Sequence, residues 1–146
     1  MDLDLVPDIT MRGQADPHGR DAVKRPPTVG QLAARIHGLA ARPADWWHRV
    51  RFDAAGPVRV VLDEVEGVRL WLTTWPPGHR TGVHDHAGTE VSAVIAGELA
   101  EVKITDDGVT ERPLRANRVR VHGGDHTHEL TNPGPAYAIT LHAQLA

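Results

Sequence analysis

The sequence predicts a mainly β fold, a small closed barrel or jelly roll with short N-terminal helices. Three observations carry this expectation. From Phe52 onward, Val-, Leu-, Thr- and Trp-rich segments alternate with Gly and Pro turn signals, the pattern of short strands. Helical periodicity is confined to residues 28–50. At least seven strand segments share a chain of 146 residues, which suits one core and a sheet that closes on itself.

Residues 1–27 hold scattered Pro, Gly and charge without a sustained apolar period and read as a loosely held arm. The remaining 28–146 read as a single domain with a helical N-terminal cap. Thr28 and Gln31 have capping-box spacing, and Leu32, Ile36 and Leu39 recur at helical spacing. PADWWHRV follows as a second short helix, with Pro43 suited to its first turn and Asp45 to its positive end. Trp46 and Trp47 form either a substrate wall or, as favoured, a packing pair over the sheet. The helices are expected to cap one end of the barrel.

PVRVVLDEV and VRLWLTTW are the first strands, joined by a turn at Glu66-Gly67. EVSAVIA and LAEVKIT flank Gly97-Glu98, which reads as a hairpin turn, and DDG at 106–108 makes the next turn. RVRVH, HELT and AYAITLHA supply three more strands.

Within this frame one stretch carries chemistry, GHRTGVHDHAGTEVSAVIAG from Gly78 to Gly97. Two histidines at i and i+2, His84 and His86, cannot share a helix face. On a strand they point to one side, which makes half of a metal site. Glu90 lies six residues beyond His84, so simple alternation returns it to that face unless Ala87-Gly88 breaks the parity. Near the C-terminus, HTHELTN places His126, His128 and Asn132. His128 is preferred over His126 because the spacing to Asn132 fits it. Three imidazoles, with or without a carboxylate, suit Fe, Mn, Ni, Cu or Zn. His142 on the last strand is a candidate partner of a ligand or substrate; His79 and His122 stay undecided between rim and interior.

A formal charge of −3 with mixed signs gives no basic footprint for nucleic acid or a membrane surface. No apolar run reaches the roughly 20 residues of a membrane span, and the acidic N-terminus lacks the form of a secretory signal. With no cysteine, disulfides and thiolate ligands are excluded. A cytoplasmic metalloprotein, monomeric or homodimeric, is the expectation.

The two histidine segments together resemble the cupin superfamily, whose first motif, G-x5-H-x-H-x3-E-x6-G, is matched at Gly78, His84, His86, Glu90 and Gly97. Of the second motif H-x3-N is kept. WHRVRFD, LWLTTWPPGHRTGVHDHAG and RVRVHGGDHTHELTNPGPAYAITLHA, spanning Trp47 to His142, look like the bacterial cysteine dioxygenases. This resemblance implies a cupin β-barrel in which His84, His86 and His128 bind Fe(II), with Glu90 a possible fourth ligand. It implies that cysteine or a related small thiol meets O2 there and leaves as a sulfinate. It places His142 at the family's histidine beyond the ligand shell, and Gln144 where the family carries a tyrosine. Tyr137 is the chain's candidate replacement for that phenol. The family's carboxylate-binding arginine falls near Val61, with Arg59 one same-face step away and Arg69 on the next strand. Two alternatives stand beside the thiol reading: a three-His, one-Glu cupin acting on a non-thiol small molecule (an isomerase, lyase or other dioxygenase), and a non-catalytic cupin binding module.

Overall fold

Helix α1, Val29–Ala41, begins at a complete capping box. Thr28 Oγ1 accepts from Gln31 N at 3.1 Å, and Gln31 Oε1 accepts from Thr28 N at 2.8 Å. These bonds satisfy donors that a helix start leaves without intrahelical partners. The computed structural model describes residues 25–81, 88–123 and 127–145, together with the backbone of His84 and Asp85. Most of the arm expected over 1–27 therefore lies outside the described residues.

After α1 the chain makes two 3-10 turns, Pro43–Asp45 and Trp47–Arg49, instead of the single helix expected. Trp46 separates them at φ −134°. Its indole is buried and donates to Leu39 O at 2.8 Å, covering a carbonyl in the last turn of α1. Trp47 is 53 % exposed, so only one of the two tryptophans is a core residue.

Among the described residues nine strands follow: β1 Val58–Val65, β2 Val68–Trp75, β3 His84–Asp85, β4 Glu90–Ala96, β5 Leu99–Thr105, β6 Gly108–Leu114, β7 Val119–His122, β8 Thr127–Thr131 and β9 Ala138–Leu145. They form two sheets, ordered β1-β2-β9-β4-β7 and β3-β8-β5-β6. This is a two-sheet jelly roll, the fold class the sequence predicts. The β1–β2 hairpin turns at Glu66 (φ 55°) and Gly67 (φ 78°), the double positive φ that two-residue hairpins favour.

One further expectation is corrected. Gly97-Glu98 is not a hairpin turn, because β4 and β5 belong to different sheets. It is the corner at which the chain changes sheet. Gly97 has φ +77°, and a Cβ there would lie 2.5 Å from Tyr137 O, so no larger residue fits the corner unstrained. Strand β6, GVTERPL, is exposed along most of its length; it lacks apolar alternation and is held by pairing with β5.

Side-chain alternation divides the five-stranded sheet into two unlike faces. Val68, Leu70, Leu72, Val91, Ala93, Leu141 and Ala143 pack against Leu32 and Ile36 of α1 and against Trp46. The helix therefore lies on the outer face of this sheet rather than across a barrel end. Burying each of its two large aliphatic side chains is worth about 1.5–3 kcal/mol. Between the sheets, Trp75, Val94 and Ala138 meet Leu99, Leu114 and Leu130. Beyond that apolar plug, the same inner rows become polar.

Candidate metal centre

Two strand registers bring the polar inner face together. Glu90 pairs with His122 on β7 and with Gln144 on β9. On the other sheet His128 pairs with Lys103 on one side and with His84 on the other. Donor atoms of Glu101, His122 and His128 lie within 4.8 Å of one another, and all three residues are buried. This triad could hold a metal ion. Two imidazoles and a carboxylate suit a borderline divalent ion, so the donor set fits a metal cofactor.

Glu101 organises the cluster. Its Oε1 accepts from Arg120 at 3.1 Å and from Arg112 at 3.4 Å. Its Oε2 lies 2.8 Å from His128 Nδ1 and 3.8 Å from His122 Nδ1. The His122 and His128 rings meet edge to face, centroids 4.9 Å apart. Burial pushes the Arg120 guanidinium below its ordinary value, against the pull of Glu101; arginine stays charged even so.

Glu90, expected among the ligands, is not part of this triad. Its Oε2 lies 2.8 Å from His142 Nδ1. His142 Nε2 is 2.6 Å from Thr140 Oγ1, which also accepts from Trp75 Nε1 at 2.9 Å. The His142 imidazole stacks on the Trp71 indole, centroids 4.9 Å apart and planes 2° from parallel. The Arg59 guanidinium sits 4.0 Å over the Trp71 ring, a cation–π contact. Because β2 lies between β1 and β9, the indole is held between the two.

Asn132 ties the two histidine segments together at their bases. Its Nδ2 donates to Trp75 O and Ala136 O, each at 2.9 Å, and its Oδ1 accepts from Gly134 N. Its backbone bonds His79 O and Gly78 N. The Arg80 guanidinium, raised above its ordinary value by its bond to Glu129, and Thr81, which bonds Leu130, continue the seam.

Residues 20–144 match the family model of cysteine dioxygenase type I. The chain belongs to that family. Among solved structures, a cupin domain from Bordetella pertussis is 21 % identical with a TM-score of 0.53, covering 66 % of this chain and 99 % of its own. A cupin superfamily protein from Desulfitobacterium hafniense is 16 % identical with a TM-score of 0.55, covering 86 % and 98 %. An oxalate oxidase is 22 % identical with a TM-score of 0.55, covering 65 % of this chain and 55 % of its own; this chain thus spans about half of that enzyme. These likenesses establish the shared cupin fold.

The expected site residues of this family member are placed unequally. His128 is in the triad. The backbone of His84 lies opposite His128; its side chain, and all of His86 and His126, lie outside the described residues. His142 and Arg59 meet through Trp71. Gln144 is the cross-strand neighbour of Glu90 and of Arg69, but Arg69 is engaged by Glu64 at 2.6 Å. Tyr137 packs its ring edgewise on Phe52, 5.0 Å away. It stands five positions before His142 on the chain, about 17 Å along an extended strand, so it is not brought to this cluster. Sequence reasoning missed Glu101, Arg120 and Thr140. The available signal was parity: Glu101 shares a strand face with Leu99, which is core, and a charge on that face needs a partner. Among the described residues, no helix is long and apolar enough to cross a membrane.

Proposed function

We propose that this cupin is an Fe(II)-dependent dioxygenase of a small thiol that also carries a carboxylate, cysteine being the simplest. Both atoms of O2 join the sulfur, so RSH and O2 balance to a sulfinic acid with no further reductant. Support comes from membership in the cysteine dioxygenase type I family and from the buried triad around His128. The observation that carries the reading is the β3–β8 register, which sets His84 opposite His128 beside a polar inner face. In this reading His84, His86 and His128 hold the metal, and Glu101 orients His128 through Nδ1, so that Nε2 is the ligand atom. A carboxylate behind a ligating imidazole is a common arrangement and fixes its tautomer. When bound, the iron would supply a redox-active centre at which thiolate and dioxygen are held side by side. The protein residues bind and orient. Arg59, seated over Trp71, offers a guanidinium to the substrate carboxylate, and the apolar plug of Trp75, Val94 and Leu130 keeps water from one end of the barrel. Substrate and O2 are the only partners proposed, and the reaction is assigned to the cytoplasm.

A second reading rests on Glu101 itself. Were it a ligand beside His122 and His128, the mixed carboxylate–imidazole site would suit a non-thiol substrate. One experiment separates the two: oxygen uptake by the iron-loaded chain with cysteine, cysteamine or mercaptopropionate. One sulfinate formed per O2 consumed is the expected result; no uptake with any thiol would overturn the thiol reading.

A further inference from the structure

We propose that Glu90 is a positioning residue that holds His142 as its Nδ1–H tautomer, with Nε2 turned to Thr140. The inference rests on reading this inner face as the lining of the metal–thiol site. Glu90, His142 and Thr140 are all buried, at 7 %, 6 % and 3 % exposure. A carboxylate buried to that degree is costly without a hydrogen-bonding partner, and His142 Nδ1 at 2.8 Å is one. An ionised carboxylate only accepts, so Nδ1 carries the hydrogen.

The opposite end of the chain fixes the same direction. The Trp75 indole N–H can only donate, and it donates to Thr140 Oγ1 at 2.9 Å. The Thr140 hydroxyl hydrogen then has two acceptors, Thr73 O at 3.5 Å and His142 Nε2 at 2.6 Å. The shorter contact takes it, because hydrogen bonds weaken at the longer distance. Donation therefore runs one way, from Trp75 to Thr140 to His142 to Glu90. Trp71, stacked 2° from parallel, holds the imidazole plane.

The test uses the full chain with 15N-labelled histidine and Zn(II) as a diamagnetic occupant of the metal site, His142 being assigned by comparison with His142→Asn. Long-range 1H–15N spectra should show the Nδ1–H form of His142 in the wild type and in Glu90→Gln, whose amide oxygen still accepts. Glu90→Ala should lose it to a tautomer mixture while binding the same amount of zinc. A wild-type Nε2–H form would overturn the proposal, as would an unchanged His142 signal or lost zinc in Glu90→Ala. If Glu90→Ala does not fold, the wild-type and Glu90→Gln spectra still decide. With iron loaded, Glu90→Ala should lower kcat about 10- to 100-fold with little change in KM, and Glu90→Gln should recover most of it. A wild type that oxidises no thiol would remove the thiol reading and leave the tautomer result standing.

Discussion

Glu101 Oε2 stands 2.8 Å from His128 Nδ1, while the other oxygen of the same carboxylate receives Arg112 and Arg120. One buried carboxylate therefore pairs with two guanidinium groups and contacts an imidazole. Replacing it with alanine should have two separable effects. Leaving the half-buried Arg120 without its carboxylate should cost about 1–3 kcal/mol, read from chemical denaturation. Metal affinity should fall about 10- to 100-fold, read by competition with a chelator. Glu101→Gln, which can still accept from Nδ1, should keep more of the affinity than of the stability.

Arg59 and Arg69 make opposite predictions. Arg59 lies over Trp71 in the line leading to His142, whereas Arg69 is bound to Glu64. Arg59→Ala should raise KM for cysteine and mercaptopropionate about tenfold or more, the value of one charge-assisted hydrogen bond. It should leave KM for cysteamine, which has no carboxylate, near the wild-type value. Arg69→Ala should change neither. Equal losses for all three thiols would show that Arg59 does not read the carboxylate.

Gly97→Ala tests the corner between the sheets. The new methyl would meet Tyr137 O at 2.5 Å with φ held at +77°. A residue forced into that region costs on the order of 1–3 kcal/mol, and the clash adds to it. The urea midpoint should fall accordingly, with the m-value unchanged if the native state keeps its compactness.

Asn132→Leu should destabilise through two carbonyls, Trp75 O and Ala136 O, that lose their shared donor. At about 1–3 kcal/mol for each buried group left unsatisfied, the loss should exceed that of an exposed polar substitution several-fold. Metal affinity should also fall, since the same residue's backbone anchors His79 and Gly78. A variant as stable as the wild type would show that water or a shifted loop replaces the amide.

Much of the scaffold was legible because its signals are local. VRLWLTTW, EVSAVIA and LAEVKIT coincide with strands β2, β4 and β5, and the Thr28–Gln31 cap is formed as its spacing predicts. GVTERPL was not legible, since an exposed polar strand has no apolar period and owes its conformation to its neighbour. The corner at Gly97 carries the same residue signal as a hairpin turn; only the sheet each strand joins distinguishes them. At the site, the H-x3-N spacing singles out His128, whereas Glu101 and His122 meet across strands 21 positions apart in sequence. No spacing rule spans that separation. The Glu90–His142 contact was hidden for a related reason: the two are neighbours only because β9 inserts between β2 and β4.

Around the site, the five-stranded sheet turns Val68, Leu70, Val91, Leu141 and Ala143 towards α1, while Glu90 and His142 on the alternate positions meet on the other side. Under the proposed function, substrate preference and conformational stability are thus written in alternating letters of the same strands. Replacements at Arg59, Trp71 or Gln144 should then alter the chemistry while the intervening positions go on securing the helix. A scaffold so divided can be retuned for a different small molecule without first being rebuilt.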